Sequence, residues 1–350
     1  MTAAAYRQII SAPQRDRLDL FLATANRLGT PIGNVEKDFW VCWTLNALYH
    51  ERPANEPRLL FKGGTSLSKA YGLIDRFSED IDITVFRDDL GEAVSLETLE
   101  TLSNKKRRAQ LDAIRDSCRT YITGPLYQFL DSQLAESTSG RGRVELDPAD
   151  PDGQTLLLWY PEAEPRDDAY VRPAVRVESG AKSALDPNQP VLITPYVAAE
   201  APELALSVAG VTTIEAGRTF WDKVVIAHGL RRWYERRGIL RQAGQRVSRH
   251  YYDLHCLFAS AAGRVALAES HLGIDCVRHA RMFFDRPDYD LASAGPGSFA
   301  LAPIGGMIDA LGRDYDSMKA MIFGPVPAFA EILTSVQEIE RIANSVASSH

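Results

Sequence analysis

The sequence predicts an α+β fold, with an α/β first half and a helical second half that divide near residues 200–218 into domains 1–210 and 211–350. Three observations predict it. Short apolar runs of strand character lie before the divide. After Thr219 the chain shows apolar residues at helical spacing and no strong strand. Gly and Pro sit between the runs, where turns belong.

The elements follow in order. Pro13 to Ala25 reads as a helix because Leu18, Phe21, Leu22 and Ala25 recur at helical spacing, and a loop from Gly29 to Asn34 follows it. Glu36 to Tyr49 is the next helix. Arg58-Leu59-Leu60-Phe61-Lys62 is a buried strand stopped by Gly63-Gly64. Thr65 to Leu73 is a helix and Ile81 to Phe86 a strand. Leu96 to Leu134 is helical with a break at Gly124-Pro125, and Ser137 to Gly142 is a polar loop. Val144–Leu146, Thr155–Tyr160 and Tyr170–Glu178 read as strands, with prolines in their connections. Asp186 to Pro195 is a loop holding one short strand. Helices then span Thr219–Arg237, Arg246–Ala262, Val265–Phe284, Ile304–Met321 and Phe329–Ala347.

Composition narrows the function classes. With 45% hydrophobic and 24% charged residues, the 350-residue chain is neither collagen-like nor wholly disordered. Four cysteines without a CxxC pair indicate neither a disulfide framework nor a zinc knuckle. No run is long enough to span a membrane, and the N-terminus soon meets charge, so a cytoplasmic protein is expected. The net charge of −7 gives no sign of a nucleic-acid partner.

The most informative segment is Gly63-Gly64-Thr65-Ser66, followed by Arg76-Phe77-Ser78-Glu79-Asp80-Ile81-Asp82. Glycine lets a ligand approach the backbone closely, and the N–H groups at a helix start suit a phosphate. Thr65 and Ser66 can add hydroxyl donors. Asp80 and Asp82 lie two apart on a strand, so both carboxylates point one way. Such a pair repels itself unless a proton or a cation intervenes, and Mg²⁺ (or Mn²⁺), held together with substrate phosphates, is the simplest cation. These parts suit phosphoryl or nucleotidyl transfer. Arg76 could reach a phosphate or could pair with Glu79 or Asp80; Ser78 is a weaker candidate.

This segment resembles the polymerase-beta-like nucleotidyltransferase superfamily, and within it the AbiEii/AbiGii toxin family, which includes the MenT toxins. Fourteen residues separate Thr65 from Asp80, longer than is usual in the superfamily but normal for this branch. Glu36-Lys37-Asp38-Phe39-Trp40-Val41 resembles the family's N-terminal helix signature. Thr219-Phe220-Trp221-Asp222-Lys223 with His228 resembles its central helix, although relatives often carry Glu at the place of Asp222. Arg249-His250-Tyr251-Tyr252-Asp253-Leu254 and Asp314-Tyr315-x-x-Met318 resemble the later motifs. The resemblance implies a mixed-sheet nucleotidyltransferase core and catalytic roles for Asp80, Asp82, Lys223 and Asp253. It places an NTP on Gly63, Gly64, Thr65, Ser66 and Lys223. It also implies an RNA acceptor such as a tRNA 3′ end, whose modification would block translation, and a cognate AbiEi-like antitoxin.

Further groups are weighed on their own residues. Glu178 ends the strand-like run Val175-Arg176-Val177 and is a candidate third metal carboxylate; a surface pair with Arg176 or Lys182 is the other reading. His228, His250 and His255 read as core or supporting residues rather than substrate contacts. From Arg218 to His250 there are nine basic residues against two acidic, a local +7 that leaves −14 for the rest. Arg231, Arg232, Arg236 and Arg237, interleaved with Trp233 and Tyr234, could track an RNA backbone; a solvated helix face is the plain alternative. The sequence therefore points to a Mg²⁺-dependent nucleotidyltransferase toxin. A phosphotransferase or self-modifying enzyme on the same fold, and a non-catalytic RNA-binding module, are the alternatives.

Overall fold

A computed structural model describes residues 2–164, 172–241 and 246–345. Among them a mixed seven-stranded sheet comprises β1 (Leu59–Lys62), β2 (Asp80–Val85), β3 (Arg143–Leu146), β4 (Thr155–Trp159), β5 (Ala174–Gly180), β6 (Asn188–Ile193) and β7 (Val208–Ile214). Its strand order is β3-β4-β5-β2-β1-β7-β6. Strand β2 pairs antiparallel with β1 and parallel with β5, and β1 runs parallel to β7. Helices α1 (Thr2–Ser11), α2 (Gln14–Leu28) and α3 (Ile32–Asn46) precede β1, and α4 (Gly63–Lys69) joins it to β2. Helices α5 (Leu96–Thr101), α6 (Asn104–Tyr121) and α7 (Tyr127–Thr138) lie between β2 and β3. After β7 come α8 (Ala216–Arg237), α9 (Arg249–Ala259), α10 (Ala261–Ala268), α11 (Ser270–Phe283), α12 (Gly306–Met318) and α13 (Phe329–Ser345). The α+β expectation is borne out. The expected strand start at Tyr170-Val171 and helix end at Val346-Ala347 lie outside the described residues.

The chain forms two compact units: Met1–Ala70, Phe77–Val94 and Ser103–Thr213 in the first, and Tyr71–Arg76, Ser95–Leu102 and Ile214–His350 in the second. In the first unit Leu59, Leu60 and Phe61 of β1 and Ile81, Ile83 and Val85 of β2 are buried, with Val35, Phe39 and Trp40 of α3 in the same core. Each such side chain contributes about 1.5–3 kcal/mol on burial. Three consecutive charged residues of α3 are also buried, and each is answered. Glu36 accepts from the Ala163 N–H at 2.6 Å, Lys37 pairs with Glu79 at 2.7 Å, and Asp38 pairs with Lys69 at 2.6 Å. Buried charges persist only when paired in this way.

Two local expectations are corrected. Gly124-Pro125 does not break the helical run: a π-helical turn at Ile122–Leu126 links α6 to α7 and accommodates the missing proline N–H. Strand β7 was not foreseen, because Gly210 and the small residues around it mask the β-branched run Val211-Thr212-Thr213-Ile214.

In the second unit α8 stops at Gly238, whose φ of +67° and N–H to the Tyr234 carbonyl at 2.8 Å make a left-handed cap. The Trp221 indole donates to the Ala266 carbonyl at 2.8 Å. Asp314 accepts at 2.7 Å from both the N–H and the hydroxyl of Ser248, which precedes α9. The early segment joins this unit through an Arg76–Ile322 bridge and a Phe323 N–H to the Asp75 carbonyl. No helix among the described residues is long and apolar enough to cross a membrane.

Candidate active site

The first unit assembles the strand–turn–helix–strand segment. Lys62 ends β1 fully extended, and Gly63 then takes φ +80°, the left-handed region that favours glycine. A Cβ at Gly63 would collide with the Asp82 carboxylate. The glycine therefore lets the start of α4 lie directly against the acidic end of β2. Gly63→Ala is expected to cost about 1–2 kcal/mol in backbone conformation alone and to displace Asp82. Thermal unfolding and a transfer assay on the same preparation check both effects.

The hydroxyls of Thr65 and Ser66 turn inward. Thr65 Oγ1 bonds the Asp80 carbonyl and lies 2.8 Å from Ser78 Oγ, and Ser66 Oγ donates to the Gly63 carbonyl at 2.8 Å. Both residues are fully buried. They brace α4 against β2, so what they can offer a ligand is backbone N–H, which the first turn of a helix leaves unbonded.

Asp80 and Asp82 alternate with buried Ile81 and share the more exposed face of β2. Burial pushes the Asp80 carboxyl up from its ordinary value, and the neighbouring carboxylates Glu79 and Asp82 push it further; Lys37 and Arg176 oppose them. Asp82 has Lys62 at 4.0 Å. Across the parallel pairing, Asp80 lies opposite Arg176 and Asp82 opposite Glu178, which brings Glu178 to the same face. Glu178, however, is ion-paired with Arg176, which also donates to Asp147 at 2.9 Å. Among the described residues no group of three or more His, Cys, Asp or Glu converges as a metal site. The donors that fit a hard cation are thus Asp80 and Asp82. They are hard oxygen ligands, and the part of the upward push on Asp80 that comes from neighbouring negative charge rather than from burial is what a divalent ion relieves.

A second constellation lies within the second unit. Asp253, fully buried on α9, accepts two bonds from the Arg76 guanidinium at 2.7 and 2.9 Å, and Lys223 Nζ of α8 lies 2.8 Å from it. Burial pushes this carboxyl up, but Arg76 and Lys223 outweigh it and hold it well below the usual carboxylate range. For Lys223, burial lowers the pKa, Asp253 raises it and Arg76 lowers it again, with a net downward shift. Arg76 therefore has Asp253 as a partner, a residue the sequence did not offer for it.

The histidines take supporting places. His228 Nδ1 accepts from the Ala300 N–H at 3.1 Å, which leaves Nε2 to donate toward the Asp290 carbonyl at 3.3 Å. His255 Nδ1 lies 2.8 Å from Ser335 Oγ. Burial lowers the pKa of His228, His250 and His255, and Lys223 and Arg249 press His250 down further. A neutral folded imidazole binds fewer protons than the unfolded chain below about pH 6.5, so stability falls as pH drops through that value. Urea unfolding at pH 7.5 and 5.5 is expected to show that loss, and His250→Gln to reduce it.

The arginines of α8 are largely engaged within the second unit. Arg231 bonds the Ala302 carbonyl and pairs with Glu235. Arg232 pairs with Glu235, Arg236 bonds the Pro287 carbonyl, and Arg237 pairs with Asp288 at 2.6 Å. Arg236 and Arg237 keep about half of their side-chain surface exposed, at 45% and 56%.

Sequence spacing did not single out Lys37 and Arg176 as parts of the acidic site. The signal for Lys37 was three successive charges inside an otherwise apolar helix. For Arg176 it was its place two residues before Glu178 on one strand face.

A family model described as the nucleotidyl transferase AbiEii toxin of a type IV toxin–antitoxin system matches residues 46–335. Among solved structures, the chain is similar to MenT4, a nucleotidyltransferase toxin from Mycobacterium tuberculosis, with 15% identity, 93% of each chain covered and a TM-score of 0.48. No curated protein matches the sequence.

Proposed function

The chain belongs to the AbiEii family of nucleotidyl transferase toxins, and from that premise we propose that it moves a nucleoside monophosphate from an NTP to an RNA acceptor hydroxyl, the tRNA 3′ end being the favoured acceptor. The observation that carries the reading is the close approach of Gly63 to Asp82, which brings the backbone donors of a helix start beside two carboxylates on one strand face. Asp80 and Asp82 would hold Mg²⁺. When bound, the ion would neutralise phosphate charge in the developing transition state. Gly63 leaves room for the Asp82 carboxylate, and the N–H groups of Gly63, Gly64 and the turn they open would receive phosphate oxygens. Thr65 supports this from behind by fixing Asp80's carbonyl. Glu178 is a reserve carboxylate for the same ion. Lys223 and Asp253 take the roles the family resemblance gives them, a cation for the triphosphate and the carboxylate that orients it. Arg236 and Arg237, half exposed, are the members of the arginine run best able to meet an RNA backbone. A cognate antitoxin would restrain the activity, and the cytoplasm is the expected compartment.

The test incubates the protein with each α-labelled NTP, Mg²⁺ and total RNA. Label is expected in tRNA-sized RNA from a preferred NTP, with release of pyrophosphate. Label appearing only from γ-labelled NTP, on protein, would establish a phosphotransferase instead. Absence of transfer from every NTP overturns the reading.

A further inference from the structure

Arg176 is a fixed cation among the carboxylates of the first unit. Strands β2 and β5 run parallel with Asp80 opposite Arg176 and Asp82 opposite Glu178, so the period of two places all four side chains on one face. The guanidinium donates from one side to Glu178 and from Nε to Asp147 at 2.9 Å. Its charge also opposes the upward push on the Asp80 carboxyl. One guanidinium thus serves three carboxylates, two of which are the residues the proposed metal role would use.

We propose that Arg176 is a positioning residue that holds Glu178 away from the metal: it is the resident counter-cation of the acidic face, and a divalent ion on Asp80 and Asp82 gains Glu178 only by drawing it off the guanidinium. The inference rests on the metal role given above to Asp80 and Asp82. Two effects follow from elementary electrostatics. The ion must break a charge-assisted pair before Glu178 can turn to it, and the guanidinium repels the incoming ion across a partly exposed site that water screens in part. Asp147 completes the device. It keeps the guanidinium anchored when Glu178 leaves, so the arginine need not lose all of its partners at once.

The test measures Mn²⁺ binding to the full chain by electron paramagnetic resonance and calorimetry, together with Tm in EDTA. Arg176→Gln is expected to bind Mn²⁺ about tenfold more tightly, the scale on which groups outside the ligand set alter metal affinity. It is also expected to melt earlier than the parent in EDTA, because the carboxylates lose their counter-cation. Arg176→Lys, which keeps charge without the fork, should fall between the two. Should Arg176→Gln not fold, Asp147→Asn is the second variant: it leaves the guanidinium to Glu178 and is expected to weaken Mn²⁺ binding. Asp82→Asn serves as the control. If it abolishes binding while Arg176→Gln and Asp147→Asn bind as the parent does, this inference fails and the metal role stands. If the parent does not bind Mn²⁺, or Asp82→Asn leaves binding unchanged, the metal role fails and takes this inference with it.

Discussion

Asp253→Asn is expected to lower the free energy of unfolding by about 3–5 kcal/mol, the cost of removing one partner from a buried ion pair. The carboxylate takes two bonds from Arg76 and lies 2.8 Å from Lys223, with no exposed surface of its own. An amide there keeps the volume and removes the charge. Two buried cations then face each other with no anion between them, and desolvation is no longer offset. The companion variant Lys223→Met should be milder, because the bidentate Arg76 pair survives it. Combining the two substitutions should cost less than the sum of the singles, since the second removes a cation that the first left unanswered. Urea unfolding of the three variants measures all of this. A loss below about 1 kcal/mol for Asp253→Asn would show that the cluster is not held together by charge.

Asp80→Asn is expected to lower nucleotidyl transfer by on the order of 10³-fold or more, since charge stabilisation by a bound metal is worth several kcal/mol. The same substitution is expected to raise Tm. The Asp80 carboxyl is pushed up by burial and by Glu79 and Asp82. A carboxyl whose folded pKa exceeds its unfolded value near 3.9 binds protons more readily when folded, so stability is lost as pH rises through that window. At neutral pH the folded protein carries that cost in full, and Asn removes it. The opposed signs matter, because general misfolding would lower both quantities. Transfer rate and Tm measured on one preparation separate the two explanations. The expected stabilisation should shrink as the pH is lowered toward the carboxylate range.

Much of the first unit could be read from local patterns. Leu59-Leu60-Phe61 before Gly63-Gly64 announced a buried strand and a sharp turn, and Asp80 and Asp82 on one strand face follow from the period of two alone. Spacing could not show how the polar groups pair. Thr65 and Ser66 look like ligand hydroxyls in sequence, yet both bond backbone carbonyls, because burial in the α4–β2 contact demands partners and carbonyls are nearest. Arg76 finds Asp253 across 177 residues, a pairing that no local pattern encodes. Glu178 was legible as a candidate carboxylate and as a partner of Arg176, two residues earlier on the same strand; that it lies opposite Asp82 depends on the strand register. The arginine run was legible as charge. Its engagement by Glu235, Asp288 and backbone carbonyls was not.

The separation of Arg76 from Asp253 bears on how the protein is made. On a ribosome adding about 5–20 residues per second, Arg76 emerges on the order of 10–35 s before its carboxylate exists. For most of that interval the segment Tyr71–Arg76 lacks Ile214–His350, the larger part of the unit it belongs with. The nascent chain can gather β1, α4 and β2 early, but the Arg76–Asp253–Lys223 cluster closes only near the end of synthesis. A message cut short before Asp253 would therefore yield a chain in which Arg76 lacks the carboxylate that holds it in the finished protein, a form suited to early degradation rather than to activity.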